Sequence, residues 1–106
     1  MARSTPSAIL AISESDDALV LQLRGELDLA SRDDIEPIVM VALTVAPAVV
    51  LELAGLEFCD SQGLAMIIAC TQQAAVEGTA FTIVNPQPQV RRLLEISDLL
   101  RLLEPA

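Results

Sequence analysis

The sequence predicts an α/β domain, a small mixed β-sheet covered by helices in the order ββαβαβα. Three observations carry this. Two short apolar runs flank the polar turn SESDD, the pattern of a hairpin. After the hairpin, strand-length runs alternate with segments of helical spacing, which implies parallel β–α–β crossovers. A chain of 106 residues with 53% hydrophobic composition can bury one modest core and is too short for two.

Residues 1–7 read as a flexible leader and 8–106 as the domain. AILAIS (8–13) is the first strand. ALVLQLRG (18–25) alternates, with Leu19, Leu21 and Leu23 on one face and Val20, Gln22 and Arg24 on the other, so it forms the second strand. ELDLA bridges to a helix starting near Ser31. That residue suits an N-cap, and Asp33, Asp34 and Glu36 would favour the positive helix end. Pro37 falls late for a helix start and would perturb the first turn. AVVLEL (48–53) is a third strand, and AGLE after it reads as a turn. A second helix runs from about Ser61 to Val76 and stops at Gly78. AFTIVN (80–85) is a fourth strand. A third helix, VRRLLEI, is followed by a short helical piece to Leu103. Phe58 and Phe81 are the aromatic members of a core of Leu, Val, Ile and Ala.

The net charge is −9, with no Lys or His and no arginine cluster beyond Arg91–Arg92. Nucleic acid is not an expected partner, because phosphate neutralisation needs a basic face. MARSTPSA lacks the apolar segment of a secretory signal. The run IVMVALTVAPAVVL is shorter than a membrane span and is broken by Pro47. A cytoplasmic protein without membrane insertion is expected. Two cysteines, Cys59 and Cys70, are too few for a zinc site or a disulfide scaffold. Cys59 sits just before Asp60 and Ser61, and Cys70 lies nine positions after Ser61, about 13 Å along a helix axis, against the ~7 Å limit for a bridge. Both read as buried, inert thiols.

FCDSQGL (58–64) places Asp60 and Ser61 where a strand turns into a helix. Ser61 as a nucleophile lacks the usual base, since the chain has no His or Lys, and position 59 is Cys where a nucleophile elbow has Gly. A phosphate cradle would need several glycines and a Lys, but only Gly63 is present. Either Ser61 or Asp60 can cap the helix. On that helix, Leu64, Ile67, Ile68, Thr71 and Ala75 form the expected core side. The other side carries Gln62, Ala65, Met66, Ala69, Gln72 and Gln73 without a charge. An uncharged face suits docking to another protein, or a second buried contact within the domain. No catalytic residue, cofactor or metal is expected.

The order of three segments resembles the STAS family of bacterial anti-sigma-factor antagonists. GELD (25–28) is similar to the family's G-E-L/I-D segment. LEFCDSQGL (56–64) is similar to its L-x-F/Y-hydrophobic-D-S-S/T-G-L motif, and VNPQPQVRRLLEISDLLRLL to its C-terminal segment. The resemblance implies a single STAS domain, a small mixed β-sheet with helices packed mainly on one side. It implies binding to an anti-sigma factor, often an ATP-dependent serine kinase, with release of a sigma factor for transcription. The implied switch is phosphorylation of Ser61, reversed by a phosphatase. Asp28, Asp60, Ser61, Gln62, Ala65, Met66 and Ala69 are the expected partner-binding residues. Gln62 departs from the family's Ser or Thr and removes a second phosphoacceptor. The alternatives are a STAS subunit of a membrane transport complex and a serine-dependent enzyme.

Overall fold

The structure, a computed structural model, describes residues 8–103; the expected leader, residues 1–7, lies outside them. β1 (Ala8–Ser15) and β2 (Ala18–Leu27) form the antiparallel hairpin, with Ser15 opposite Ala18. Asp16, in the turn, has φ 54°, a left-handed conformation that Asp tolerates better than most residues. The alternation in β2 holds: Leu21 and Leu23 are fully buried, while Gln22 and Arg24 are exposed.

α1 spans Leu29–Val45, so it starts earlier than the sequence suggests. Its N-cap is Asp28 and not Ser31. Asp28 Oδ1 accepts from the Ser31 amide at 3.0 Å, and Ser31 Oγ accepts from the Asp28 amide at 2.9 Å. This is a reciprocal capping box with serine in the role usually filled by Glu or Gln. The Ser31 hydroxyl, 2% exposed, also donates to the Glu26 carbonyl at 2.9 Å, so its burial carries no unsatisfied group. Pro37 lies inside the helix, which continues past it without the bond an N–H there would have made.

β3 (Ala48–Glu52) runs parallel to β2 over Ala18–Gln22. The segment expected to be a turn then supplies a fifth strand, β4 (Leu56–Cys59), parallel to the end of β2. Gly25 pairs with Leu56 and Glu26 with Phe58, so Glu57 is the extra residue of a bulge. Burial along β4 is consequently buried, exposed, exposed, buried, and no period of two marks it in the sequence. β5 (Ala80–Val84) pairs parallel outside β3. The order is β1-β2-β3-β5, with β4 sharing an edge of β2 with β3.

α2 (Ser61–Glu77) ends at Gly78, φ 71°. α3 (Pro88–Ile96) and a 3-10 turn (Leu100–Leu102) close the domain, and Leu103 bridges to Ile83. One core joins Leu21, Leu23, Leu51 and Ile83 of the sheet to Val39 and Leu43 of α1, Ile67 of α2 and Leu94 of α3. The other sheet face carries exposed Gln22 and Arg24 and half-buried Val50, Glu52, Thr82 and Val84. The helices therefore pack mainly on one side of a mixed sheet, as the resemblance implies. Phe81 belongs to the core, but Phe58 is 47% exposed.

Candidate functional site

β2 and β4 end side by side, with Leu27 paired to Cys59 and the Asp60 amide donating to the Leu27 carbonyl at 3.2 Å. The next residue of each strand caps a helix. Asp28 caps α1, and Asp60 caps α2, its Oδ1 accepting from the amides of Gln62 at 2.9 Å and Gly63 at 3.1 Å. The pairing of two strands thus brings two helix starts together at the C-terminal edge of the sheet. In parallel sheets this edge commonly carries binding sites, and both positive helix ends meet there.

Ser61 is the first residue of α2 and is exposed. Asp60 takes the capping role, which leaves the Ser61 hydroxyl free of it. Gly63 allows the first turn of α2 to press onto the strand ends: a Cβ there would sit 2.7 Å from Cys59 Sγ and 2.8 Å from the Leu27 carbonyl oxygen.

Gln62 Oε1 accepts from Arg32 Nη1 at 3.1 Å, and Arg32 Nε donates to Glu36 Oε1 at 2.6 Å. This chain of contacts ties α1 to α2 beside Ser61. Sequence reasoning misses Arg32; its only signal is the four-residue spacing to Glu36, because its α2 partner lies thirty positions away.

Ala65 and Ala69 are half-buried and Gln72 is exposed, so an uncharged strip does lead away from Ser61. Met66 is corrected: it is fully buried and belongs to the core. The buried residues of α2 are Gly63, Met66, Ile67, Cys70 and Ala74, and Ile68 and Ala75 of the expected core side are exposed. Urea unfolding checks the correction: Met66→Ala should lower stability by about 2–4 kcal/mol, and Ser61→Ala by no more than about 0.5 kcal/mol.

Cys59 and Cys70 are both buried thiols. Burial, then the Asp60 charge, pushes the Cys59 pKa up to about 11. Burial, then Glu36, pushes Cys70 up to about 12, with Arg32 opposing. Well below their ordinary value of 9.0 both states keep the thiol protons and stability is unaffected. Above it the unfolded chain loses these protons first, so stability falls with rising pH, by up to about 1.4 kcal/mol per unit per thiol. The chain has no Lys, Tyr or His to titrate in the same window. Urea melts between pH 8 and 11 should show this decline, and Cys70→Ala should make its slope about half as steep.

Among the described residues, no group of three or more His, Cys, Asp or Glu could hold a metal ion. No described helix is long and apolar enough to cross a membrane.

Comparison with known proteins agrees with this architecture. A STAS-domain containing protein of Pseudomonas aeruginosa is 26% identical over 92 residues, covering 86% of this chain and 91% of that protein. The crystal structure of an anti-sigma factor antagonist from Mycobacterium paratuberculosis superposes with a TM-score of 0.84 at 26% identity, over 98% of this chain and 92% of that one. The phosphorylated form of the Bacillus cell fate determinant SpoIIAA shares the fold, with a TM-score of 0.76 at 20% identity, over 92% and 91% of the two chains. The family model described as Mlab, STAS domain matches residues 10–104, and the chain belongs to the STAS-domain family.

Proposed function

We propose that the protein is an anti-sigma-factor antagonist, a cytoplasmic binding protein that sequesters an anti-sigma factor and so releases a sigma factor for transcription. The observation that carries this is the exposed Ser61 at the start of α2, set beside Asp60 and the adjoining Asp28 turn and followed by a strip without charge. Asp28, Asp60, Ser61, Gln62, Ala65 and Ala69 form the docking surface.

Phosphorylation of Ser61 switches binding off. Ser61 Oγ forms a bond to the γ-phosphorus of ATP held by the anti-sigma kinase, the bond to the β–γ bridging oxygen breaks, and ADP leaves. The hydroxyl proton passes to a base of the kinase. A phosphatase restores the hydroxyl with water. The product carries about −1.5 to −2 charge at a helix start, where amide groups and the dipole favour an anion, so the domain stays folded and the effect falls on the interface.

The test is intact-mass spectrometry after incubation with candidate anti-sigma kinases and ATP. Wild type should gain one phosphoryl group and Ser61→Ala none. An unmodified wild type that also fails to bind these kinases by calorimetry overturns the reading. A second reading, a STAS subunit of a membrane transport complex, is favoured by Gln62, whose amide is engaged by Arg32 where the antagonist motif has a hydroxyl. Recovery of a transporter ATPase in place of a kinase on affinity purification selects it.

A further inference from the structure

The helix layer is narrower than the sheet. α1 packs on β2, β3 and α2, and α2 reaches β4 and β5, whereas β1 makes its principal contacts with β2 alone. Leu10 and Ile12 of β1 stand opposite Leu23 and Leu21, on the face that the helices cover elsewhere, yet Ile12 is 55% exposed. On the flank of α1 nearest β1, Ile38, Val41 and Val45 are 42%, 61% and 68% exposed. Their spacing is that of one helical stripe. Between them and Ile12 and Leu19 lies an apolar trough of about 420 Å³. A second cavity of about 300 Å³ shares Leu19 and Val45 with it and opens on Glu14, Asp16 and Asp17 of the hairpin. Monomeric domains seldom leave such a contiguous apolar groove uncovered.

We propose that this trough receives one α-helix of another protein, amphipathic, with an aliphatic stripe and Arg or Lys where it meets the hairpin. A helix fits because the gap is the position beside α1 that the layer leaves vacant over β1, walled by an existing helix stripe and floored by the sheet. The cationic end follows from the acidic mouth, since the residues lining both cavities include three carboxylates and no cation. A second copy of this chain is disfavoured: it brings a net charge of −9 and the same acidic rim. The mouth lies beside Ala18 and Leu19, at the end of β2 opposite Asp28. Occupancy therefore leaves Ser61 uncovered, and the two surfaces can be used at once. The proposal is independent of the role of Ser61.

A synthetic peptide of about 14 residues, some 21 Å long as a helix, with leucines on one stripe and arginines flanking it, serves as the probe. Fluorescence anisotropy with the full chain should show binding that weakens about tenfold or more when the arginines become glutamates or when Val41→Glu is introduced. Asp16→Asn with Asp17→Asn should weaken it about threefold or more. Val76→Glu, at a residue 78% exposed on α2, should leave it unchanged. Amide chemical-shift changes should centre on Ile12, Leu19, Ile38, Val41 and Val45. Val41 is exposed enough for the variant to fold, which its melting curve confirms. The proposal is overturned if wild type does not bind the arginine peptide, if Val41→Glu binds equally well, if the shifts centre elsewhere, or if sedimentation finds a wild-type dimer that Val41→Glu dissociates.

Discussion

Gly63→Ala is expected to destabilise the domain by about 2 kcal/mol or more, lowering the melting temperature by roughly 8–16 °C. The added Cβ would meet Cys59 Sγ at 2.7 Å, the Leu27 carbonyl oxygen at 2.8 Å and Leu27 Cγ at 2.9 Å. A flexible side-chain end could move aside, but the carbonyl is fixed by β2 and already accepts the Asp60 amide. The first turn of α2 must therefore lift, which strains the Asp60 cap and the Gln62–Arg32 contact together. Alanine regains up to about 1 kcal/mol of helix propensity over glycine, so the net loss is smaller than the steric cost. Cys59→Ala removes one of the three obstacles and should recover only part of the stability. Full recovery in the double variant, measured by urea unfolding, would show that the sulfur was the sole obstruction and that the close approach to β2 is unimportant.

The same contact explains why the sequence conveys the start of α2 better than it conveys which face of that helix is buried. FCDSQGL announces a cap and a helix start by residue type alone. The orientation of α2 is set by Gly63 and Cys70, small residues that count for little in an apolar pattern, yet both face the core. Placing the core side on Leu64, Ile67, Ile68, Thr71 and Ala75 is right for Ile67, which is buried, and for Leu64, which packs against the core. It puts Met66 on the surface, however, and the packing at Gly63 instead turns Met66 inward and leaves Ile68 and Ala75 exposed. β4 escapes notice for a related reason. It is four residues long, and its bulge against β2 removes the alternation that would have identified it. In the sequence Asp60 reads as a candidate cap and Asp28 as part of the bridge to α1; the pairing of Leu27 with Cys59 sets the two turns side by side. Ser31 is taken for a cap because its own type and the acids after it fit that role, whereas Asp28 competes for the same helix and gains the reciprocal bond. Periodicity locates elements well when they are long and regular. It cannot report contacts made across thirty residues, such as Arg32 with Gln62.

Ser61→Asp should weaken binding to the cognate anti-sigma factor by at least about tenfold, and phosphoserine at the same position by about a hundredfold or more. The difference between the two follows from charge: a carboxylate brings one negative charge and a phosphoryl group nearly two. Each must lose water against the partner, which is costly for a charge, and the nearby cation, Arg32, is already engaged by Glu36 and Gln62. Stability should not follow affinity. An acidic residue in the first turn of a helix is favourable by about 0.3–1 kcal/mol, so the melting temperature of Ser61→Asp should match or exceed that of wild type. Asp60→Ala is the contrasting case. Its carboxylate accepts two backbone amides, and losing the cap should cost about 1–2 kcal/mol, with any loss of affinity accompanied by loss of stability. Calorimetry and thermal melts on the same samples separate the two effects. Unchanged affinity of Ser61→Asp would refute a switch acting through interfacial charge, and a sharply lowered melting temperature would move the effect of modification from the interface to the fold.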